Sequence, residues 1–273
     1  MRRTESASAA VPAGGASTDW IERLRAAPKR ADGRVVRRAG RREGLSMADL
    51  LRNVHALALA FAGDDALIPG ARVAVVSEPT HEWLAVDLAC RVRGLVSVMI
   101  DPAAPIARLA FILRNSGARW LFYGAAPPRD ALRALLDGLV HAPHPVAFDG
   151  DRRLREGTSI TRLMAATTAQ RADVPLARLR VAVAADDPAT LVYTAGAAQA
   201  APKGVVLTRR NLDAQLDALG ARLAIGPRDV ALAFLPPARA AQRLLDWLCL
   251  MRGAALVQVP RPAEAARALA RER

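Results

Sequence analysis

Lysine is nearly missing from this chain of 273 residues: of 39 basic side chains only Lys29 and Lys203 are lysines, leaving 37 arginines. Alanine is abundant, so this bias reflects GC-rich coding as much as selection for a basic surface, and the net charge of +13 is weak support for a nucleic-acid partner. Aromatic residues make up only 4% of the chain. No stacking platform, zinc spacing or basic recognition helix accompanies the charge, which argues against nucleic-acid binding. There are two cysteines, Cys90 and Cys249, both inside apolar stretches and without metal-ligand spacing. They read as buried thiols of a reducing, cytoplasmic compartment. Long apolar runs are also missing. Stretches such as Leu95–Ile100 fall far short of the ~18 residues that span a bilayer. The first residues, MRRTESASAAVPAGGAS, carry arginines but no apolar core, so they do not read as a secretion signal.

What is present is the composition of a globular chain: 52% hydrophobic, 24% charged, 18 glycines and 18 prolines, enough for one large domain or two of roughly 150 residues. Residues 1–19 are small and polar, and the whole stretch 1–33 is expected to be a disordered or weakly ordered tail. Residues 1–44 carry 11 basic and 5 acidic side chains, nearly half the net charge. The arginines of RVVRRAGRREGL, residues 34–45, read as solvated arms of a hairpin turning at Ala39-Gly40.

Ser46 is a good N-cap for a helix over residues 47–62, where Leu50, Val54, Leu57 and Phe61 recur at helical spacing. Strand character at 72–77, 96–100, 119–123, 190–194, 204–208, 230–235 and 255–259 alternates with helical patterns at 81–93, up to about 115, 129–140, 211–223 and 240–252. A last helical piece spans 262–273. Residues 141–187 are irregular, with one strand expected at Val181–Ala184. Short apolar runs alternating with amphipathic helices predict an α/β fold around a largely parallel sheet.

Chemistry concentrates in DPATLVYTAGAAQAAPKGVVLTRRNL, residues 187–212. A strand ends at Tyr193-Thr194, a loop of small residues follows, and Pro202-Lys203-Gly204 opens the next strand. Such loops let backbone N–H groups close around phosphate oxygens while a lysine supplies a compact positive charge. In a chain that nearly always uses arginine, one of two lysines stands beside this loop. Elsewhere the signals are bland. Asp186-Asp187 reads as the capped entry to a strand, since adjacent residues do not face one another. His55, His81, His141 and His144 have no third ligand pattern, so no metal site is expected. Trp83 and Trp247 read as core.

The loop segment resembles the phosphate-binding signature of the AMP-forming acyl-activating enzymes, Y-T-S-G-T-T-G-x-P-K-G-V followed by L-T-H-R-N. Residues 69–123 resemble the family's run from a P-G-D-R-V-A-I strand through an E-W helix to a small-residue crossover. Residues 234–243, FLPPARAAQR, resemble the F-L-P-L-x-H-x-x-E-R segment of long-chain fatty-acyl-CoA synthetases. The likeness covers residues 34–273 and implies a partial copy of the large N-terminal domain of an adenylate-forming ligase, with parallel-rich sheet flanked by helices. In that family a fatty-acid carboxylate attacks the α-phosphate of ATP, with Mg²⁺, to give acyl-AMP and pyrophosphate, and CoA or a carrier protein takes the acyl group.

The resemblance places ATP phosphates at Thr194, Gly196, Lys203 and Gly204 and the acyl carboxylate region at Arg239. The departures bear on activity. Ala195, Ala197 and Ala198 stand where the family has a serine and two threonines. The family's second glycine is Gln199 or lies next to an inserted residue, since Gly196 to Lys203 is one residue longer than the family spacing. Each lost hydroxyl removes a charge-assisted bond worth ~1.5–3 kcal/mol. Arg209 replaces the histidine of L-T-H-R-N, Arg239 that of P-L-x-H, and Gln242 the glutamate, and an arginine cannot titrate near neutral pH.

The family's aromatic-Thr-Glu motif, ribose-binding aspartate and C-terminal lid domain with its lysine have no counterpart here. The expectation is a truncated, pseudoenzyme-like homologue with no catalytic residue of its own. One alternative is half of a split enzyme completed by a C-terminal partner chain, and another is a non-catalytic scaffold that binds acyl chains or partners. Apolar surface around Leu256, Val257 and Val259 is expected to be exposed and to favour self-association.

Overall fold

The computed structural model describes residues 19–41, 43–148, 154, 157–171, 173–194 and 202–271. The chain forms two sheets, confirming the α/β class. The larger has seven strands: β3 (Arg72–Val76), β4 (Val96–Ile100), β5 (Trp120–Tyr123), β6 (His144–Ala147), β7 (Thr158–Ser159), β8 (Pro188–Tyr193) and β9 (Gly204–Thr208). Their order is β7-β6-β5-β3-β4-β8-β9. All neighbours are parallel except β9, which returns antiparallel to β8. The smaller sheet joins β1 (Val36–Arg38), β2 (Gly44–Leu45), β10 (Val230–Ala233) and β11 (Ala255–Gln258) in the order β10-β11-β1-β2.

The central strands of the large sheet are buried on both faces, and their side chains alternate accordingly. Val73 and Val75 of β3 point into one core, with α2 (Met47–Ala62) and α3 (His81–Val92); Ala74 and Val76 point into the other, with α4 (Ile106–Ser116) and α5 (Arg129–Asp137). Helix ends follow local chemistry. Ser46 and Asp49 form a reciprocal capping box at α2, and Thr208 and Asn211 form another at α8 (Arg209–Arg222), each cap contributing about 1 kcal/mol. Helix α4 stops at Gly117, whose φ of 60° is open to glycine at little cost.

The first core reaches from the large sheet to α9 (Ala240–Met251) and the small sheet. Trp247 lies at its centre, with ring centroids 6.0 Å from Trp83 and 5.6 Å from Trp20. Both Trp83 and Trp247 are buried, as their helical spacing implied. A buried polar cluster crosses the same region. The Arg243 guanidinium pairs with Asp87, donating from Nε at 2.9 Å, and also donates to Thr190 Oγ1 at 2.8 Å and Ser97 Oγ at 2.9 Å. Trp247 Nε1 donates to Asp87 Oδ2 at 2.9 Å. One arginine therefore ties α9 to α3, β4 and β8.

Four sequence expectations need correction. Weak order through residue 33 does not hold from residue 19 on: α1 (Trp20–Arg25) buries Trp20, Ile21 and Leu24, and Trp20 Nε1 donates to Asp213 at 2.7 Å. Six residues are too few for a periodic signal. Residues 1–18 lie outside the described residues. Val181–Ala184 is not a strand; Val181 N bonds Val92 O at 3.0 Å, but β3 and β8 already occupy both edges of β4.

The irregular stretch 141–187 instead holds β6, β7, α6 (Ile160–Arg171) and α7 (Leu176–Leu179). Helix α6 buries only Ile160, so it lacks the apolar stripe that announces a helix. Finally, Leu256, Val257 and Val259 are fully buried at 0% exposure, because β11 lies inside the small sheet between β10 and β1. Exposed apolar residues lie instead on the outer strand β9, with Val205 and Val206 at 42% and 49%.

Candidate functional site

Strand β8 rises through the core with Ala189 and Thr190 buried and emerges at Tyr193. Its partner β9 starts at Gly204, directly opposite Tyr193 in the antiparallel register. Thr194 N donates to Lys203 O at 3.0 Å, closing the mouth of the hairpin. The structure therefore brings Thr194, Lys203 and Gly204 together at the mouth of the hairpin. Gly196 lies outside the described residues. Thr194 and Lys203 are both exposed, at the end of the sheet where parallel strands deliver their carboxyl ends and where open α/β sheets bind ligands.

The hairpin base is rigidly framed. Tyr193 Oη donates to Asn115 Oδ1 at 2.7 Å, and partial burial raises the phenol above its usual range. Arg108 donates to the Thr194 carbonyl at 3.3 Å. Gly204 lies flat against the tyrosine: a Cβ there would sit 3.2 Å from Tyr193 Cζ. The glycine after the lysine thus permits close approach of a strand to a ring.

Arg239 does not join the hairpin. It stands immediately before α9, where its Nη2 donates to Asp101 Oδ2 at 3.2 Å. Asp101 follows β4, the parallel neighbour of β8, so both features lie at the carboxyl end of the sheet. The Arg239 side chain is 63% exposed and its charge is already engaged by a carboxylate, so it does not project into a closed pocket.

Arg209 takes the opposite course. It is the first residue of α8 and only 2% exposed. Its Nη1 donates weakly to Arg91 O at 3.3 Å, while Nε and Nη2 have no partner among the described residues. Burial lowers its pKa, partly offset by Asp187 and Asp213. The remaining candidates are structural. Asp186 accepts two bonds from Arg210 at 2.7 and 2.9 Å, and Asp187 accepts from Ala184 N at 2.7 Å. His55 Nε2 lies 2.7 Å from Val174 O. Cys90 and Cys249 are buried free thiols, and burial pushes Cys249 up to about 12.

Two charged residues escaped the sequence reading. Arg243 is the arginine retained from the F-L-P-L-x-H-x-x-E-R pattern, and the structure gives it a buried partner rather than a surface role. Asp246, 1% exposed, is pushed by burial up to about 8 against the opposing hydrogen bond from Gln242 Nε2 at 2.8 Å. Nothing in the helical periodicity of α9 marks this position as a polar one inside the core.

Comparison with known proteins agrees with this geometry. A CoA ligase from Gibberella moniliformis is 28% identical over 174 residues, 63% of this chain and 26% of that protein. The long-chain-fatty-acid–CoA ligase FadD13 of Mycobacterium tuberculosis is 30% identical over 194 residues, 70% of this chain and 35% of the relative. Among solved structures, the N-terminal domain of FACL13 from Mycobacterium tuberculosis superposes with a TM-score of 0.74 at 21% identity, covering 93% of this chain and 60% of that one. A long-chain-fatty-acid CoA ligase from Rhodopseudomonas palustris, described as putative, gives 0.73 at 22% identity, covering 91% and 58%.

The chain thus spans about a quarter to a third of these curated relatives. No helix among the described residues is long and apolar enough to cross a membrane. The AMP-binding enzyme family matches residues 24–273, and this protein belongs to it.

Proposed function

We propose that this region is a degenerate homologue of the ATP-dependent long-chain fatty-acid–CoA ligases, with little or no ligase activity on its own. The observation that carries the reading is the hairpin between β8 and β9. It keeps Lys203, Thr194 and the packed Gly204, but three of its hydroxyl positions are alanines. A phosphate group fits this donor set, through the Lys203 ammonium and the Thr194 hydroxyl. Mg²⁺ is implied by the family alone and would enter with the nucleotide, held mainly by phosphate oxygens and water.

ATP, when bound, supplies the activated phosphate for acyl-adenylate formation, and CoA is the family's acyl acceptor. This chain's part is to hold and orient the phosphates at Lys203, since preorganised charge is the main catalytic resource in such chemistry. Arg239 would leave its exposed pair with Asp101 to meet a fatty-acid carboxylate, at the small cost of breaking a surface ion pair. The protein is read as cytoplasmic, in keeping with its two buried thiols.

Purified protein is expected to show no ATP–pyrophosphate exchange with fatty acids above a Lys203→Ala control. ATP titration should give a dissociation constant in the high micromolar range or weaker, on the order of −5 kcal/mol or less favourable, and Lys203→Ala should abolish it. Sub-micromolar binding, or binding indifferent to Lys203, would refute the assignment of the hairpin.

A second reading, half of a split ligase completed by another chain, is favoured by the exposed apolar strand β9 next to the hairpin. Co-expression with a chain carrying the aromatic-Thr-Glu motif and lid lysine is then expected to bury Val205 and Val206 and restore exchange. Charging this edge strand by Val206→Glu should block the complex; unaltered complex formation, read by sedimentation, would rule the edge out.

A further inference from the structure

A second concave site lies at the carboxyl ends of the small sheet, away from the hairpin strands. It is a cavity of about 430 Å³ between β1, the turn after it, the end of β11 and the start of α3. Three arginines, Arg37, Arg38 and Arg41, line it against two glutamates, Glu43 and Glu82. Of the latter, Glu82 lies 3.5 Å from His81 Nδ1. The Arg38 and Arg41 side chains are exposed, and neither has an ion-pair partner among the described residues. The hairpin arginines that looked like solvated arms in the sequence are therefore gathered at the rim of a pocket.

Two further observations point to a ligand. Helix α3 has 12 residues and begins at this cavity, but its N-cap Thr80 makes no side-chain capping bond. The Thr80 hydroxyl has no partner among the described residues, although threonine at that position ordinarily accepts from the first turn. At the opposite wall, Gln258 is 3% exposed, lines the cavity, and its amide nitrogen is also unpartnered. Unmet buried donors are costly in a folded protein and are normally satisfied by protein, water or ligand. The positive end of a helix, free guanidinium groups and spare uncharged donors together form the chemistry that recognises a phosphate.

We infer that this cavity binds the phosphate group of a small molecule, held by Arg38, Arg41 and the first turn of α3, with Thr80 and Gln258 supplying further donors. The cavity is larger than one phosphate, leaving room for an attached organic part. This site shares no residue with the Lys203 hairpin, so it stands whether or not that hairpin binds nucleotide.

The test is titration of the full chain with inorganic phosphate and, separately, with glycerol 3-phosphate, followed by calorimetry and phosphorus NMR line broadening. Saturable millimolar or tighter binding is expected. The Arg38→Ser/Arg41→Ser double variant should weaken it at least about tenfold with an unchanged melting temperature, because both residues are exposed and unpaired. Lys203→Ala should leave it unchanged, which separates this site from the hairpin.

Gln258→Leu removes an unmet donor, so it should keep or raise stability while weakening phosphate binding; a purely structural glutamine would leave binding untouched. Tighter binding of glycerol 3-phosphate identifies an ester ligand, and equal binding identifies the phosphate group alone as the recognised element. Failure of the wild type to bind either probe at 10 mM (about the weakest binding worth calling a site) would overturn the inference. Equal binding by the folded double variant, or loss with Lys203→Ala, would do so too.

Discussion

Arg243→Ala is expected to cost about 3–5 kcal/mol of stability, the range for breaking a buried ion pair from one side, and for a chain of ordinary stability that approaches unfolding. Arg243 and Asp87 are both buried, with side chains 6% and 5% exposed. Among the described residues, removing the guanidinium leaves the Asp87 carboxylate with only the Trp247 indole N–H at 2.9 Å, and strips Thr190 Oγ1 and Ser97 Oγ of their donor. Arg243→Lys should recover only part of the loss, since an ammonium cannot present the fork that meets Asp87, Thr190 and Ser97 together.

The double variant Asp87→Leu/Arg243→Met should be markedly more stable than either single change, because no uncompensated charge then remains. Denaturant unfolding of the four proteins measures this. A loss under 1 kcal/mol for Arg243→Ala would mean that the cluster is not the clamp between α9 and the large sheet.

Asp246→Asn should stabilise the protein at neutral pH and flatten its dependence on pH. The Asp246 carboxyl is raised by burial to about 8, from an ordinary value of 3.8. The folded state therefore keeps a proton that the unfolded state releases. Stability from this group is fully present below about pH 4, falls as pH rises, and is lost by about pH 8, at up to roughly 1.4 kcal/mol per unit. Asparagine preserves the shape and still accepts the bond from Gln242 Nε2, so the substitution should gain several kcal/mol at pH 7–8 and almost nothing at pH 4. Parallel stability–pH profiles for the two proteins would refute this.

The same pair bears on the departure at Gln242, which stands where relatives of this pattern have glutamate. A carboxylate at that place would face Asp246 at 2.8 Å inside the core, whereas the amide donates. Gln242→Glu is accordingly a loss-of-stability change here, despite matching the family pattern.

The local chemistry of the chain was written in its residues. The Ser46 cap and the alternation of strand and helix patterns need only neighbouring side chains, and a short-range signal survives in a linear reading. The two strands and the small-residue loop holding Thr194, Lys203 and Gly204 were legible in the same way, whereas their antiparallel pairing is a finding of the structure. Helix α6 escaped because only Ile160 is buried, and a helix without an apolar stripe has no period to detect. Helix α1 escaped because Trp20 buries against Asp213 of α8 and Trp247 of α9, partners that lie far along the chain.

What only the tertiary structure decided is which charges are buried and which are free. Sequence alone determined the α/β class, the likeness to acyl-activating enzymes and the loss of loop hydroxyls, because each rests on residue identity in order. It left Arg38, Arg209, Arg239 and Arg243 indistinguishable as arginines. Folding sets Arg243 on Asp87, ties Arg239 to Asp101, buries Arg209 with unmet donors, and leaves Arg38 exposed beside the start of α3. The physical reason is that the energy of a charge depends on its solvent and its partners. Both are supplied by residues that come together only when β4, β8, α3 and α9 pack.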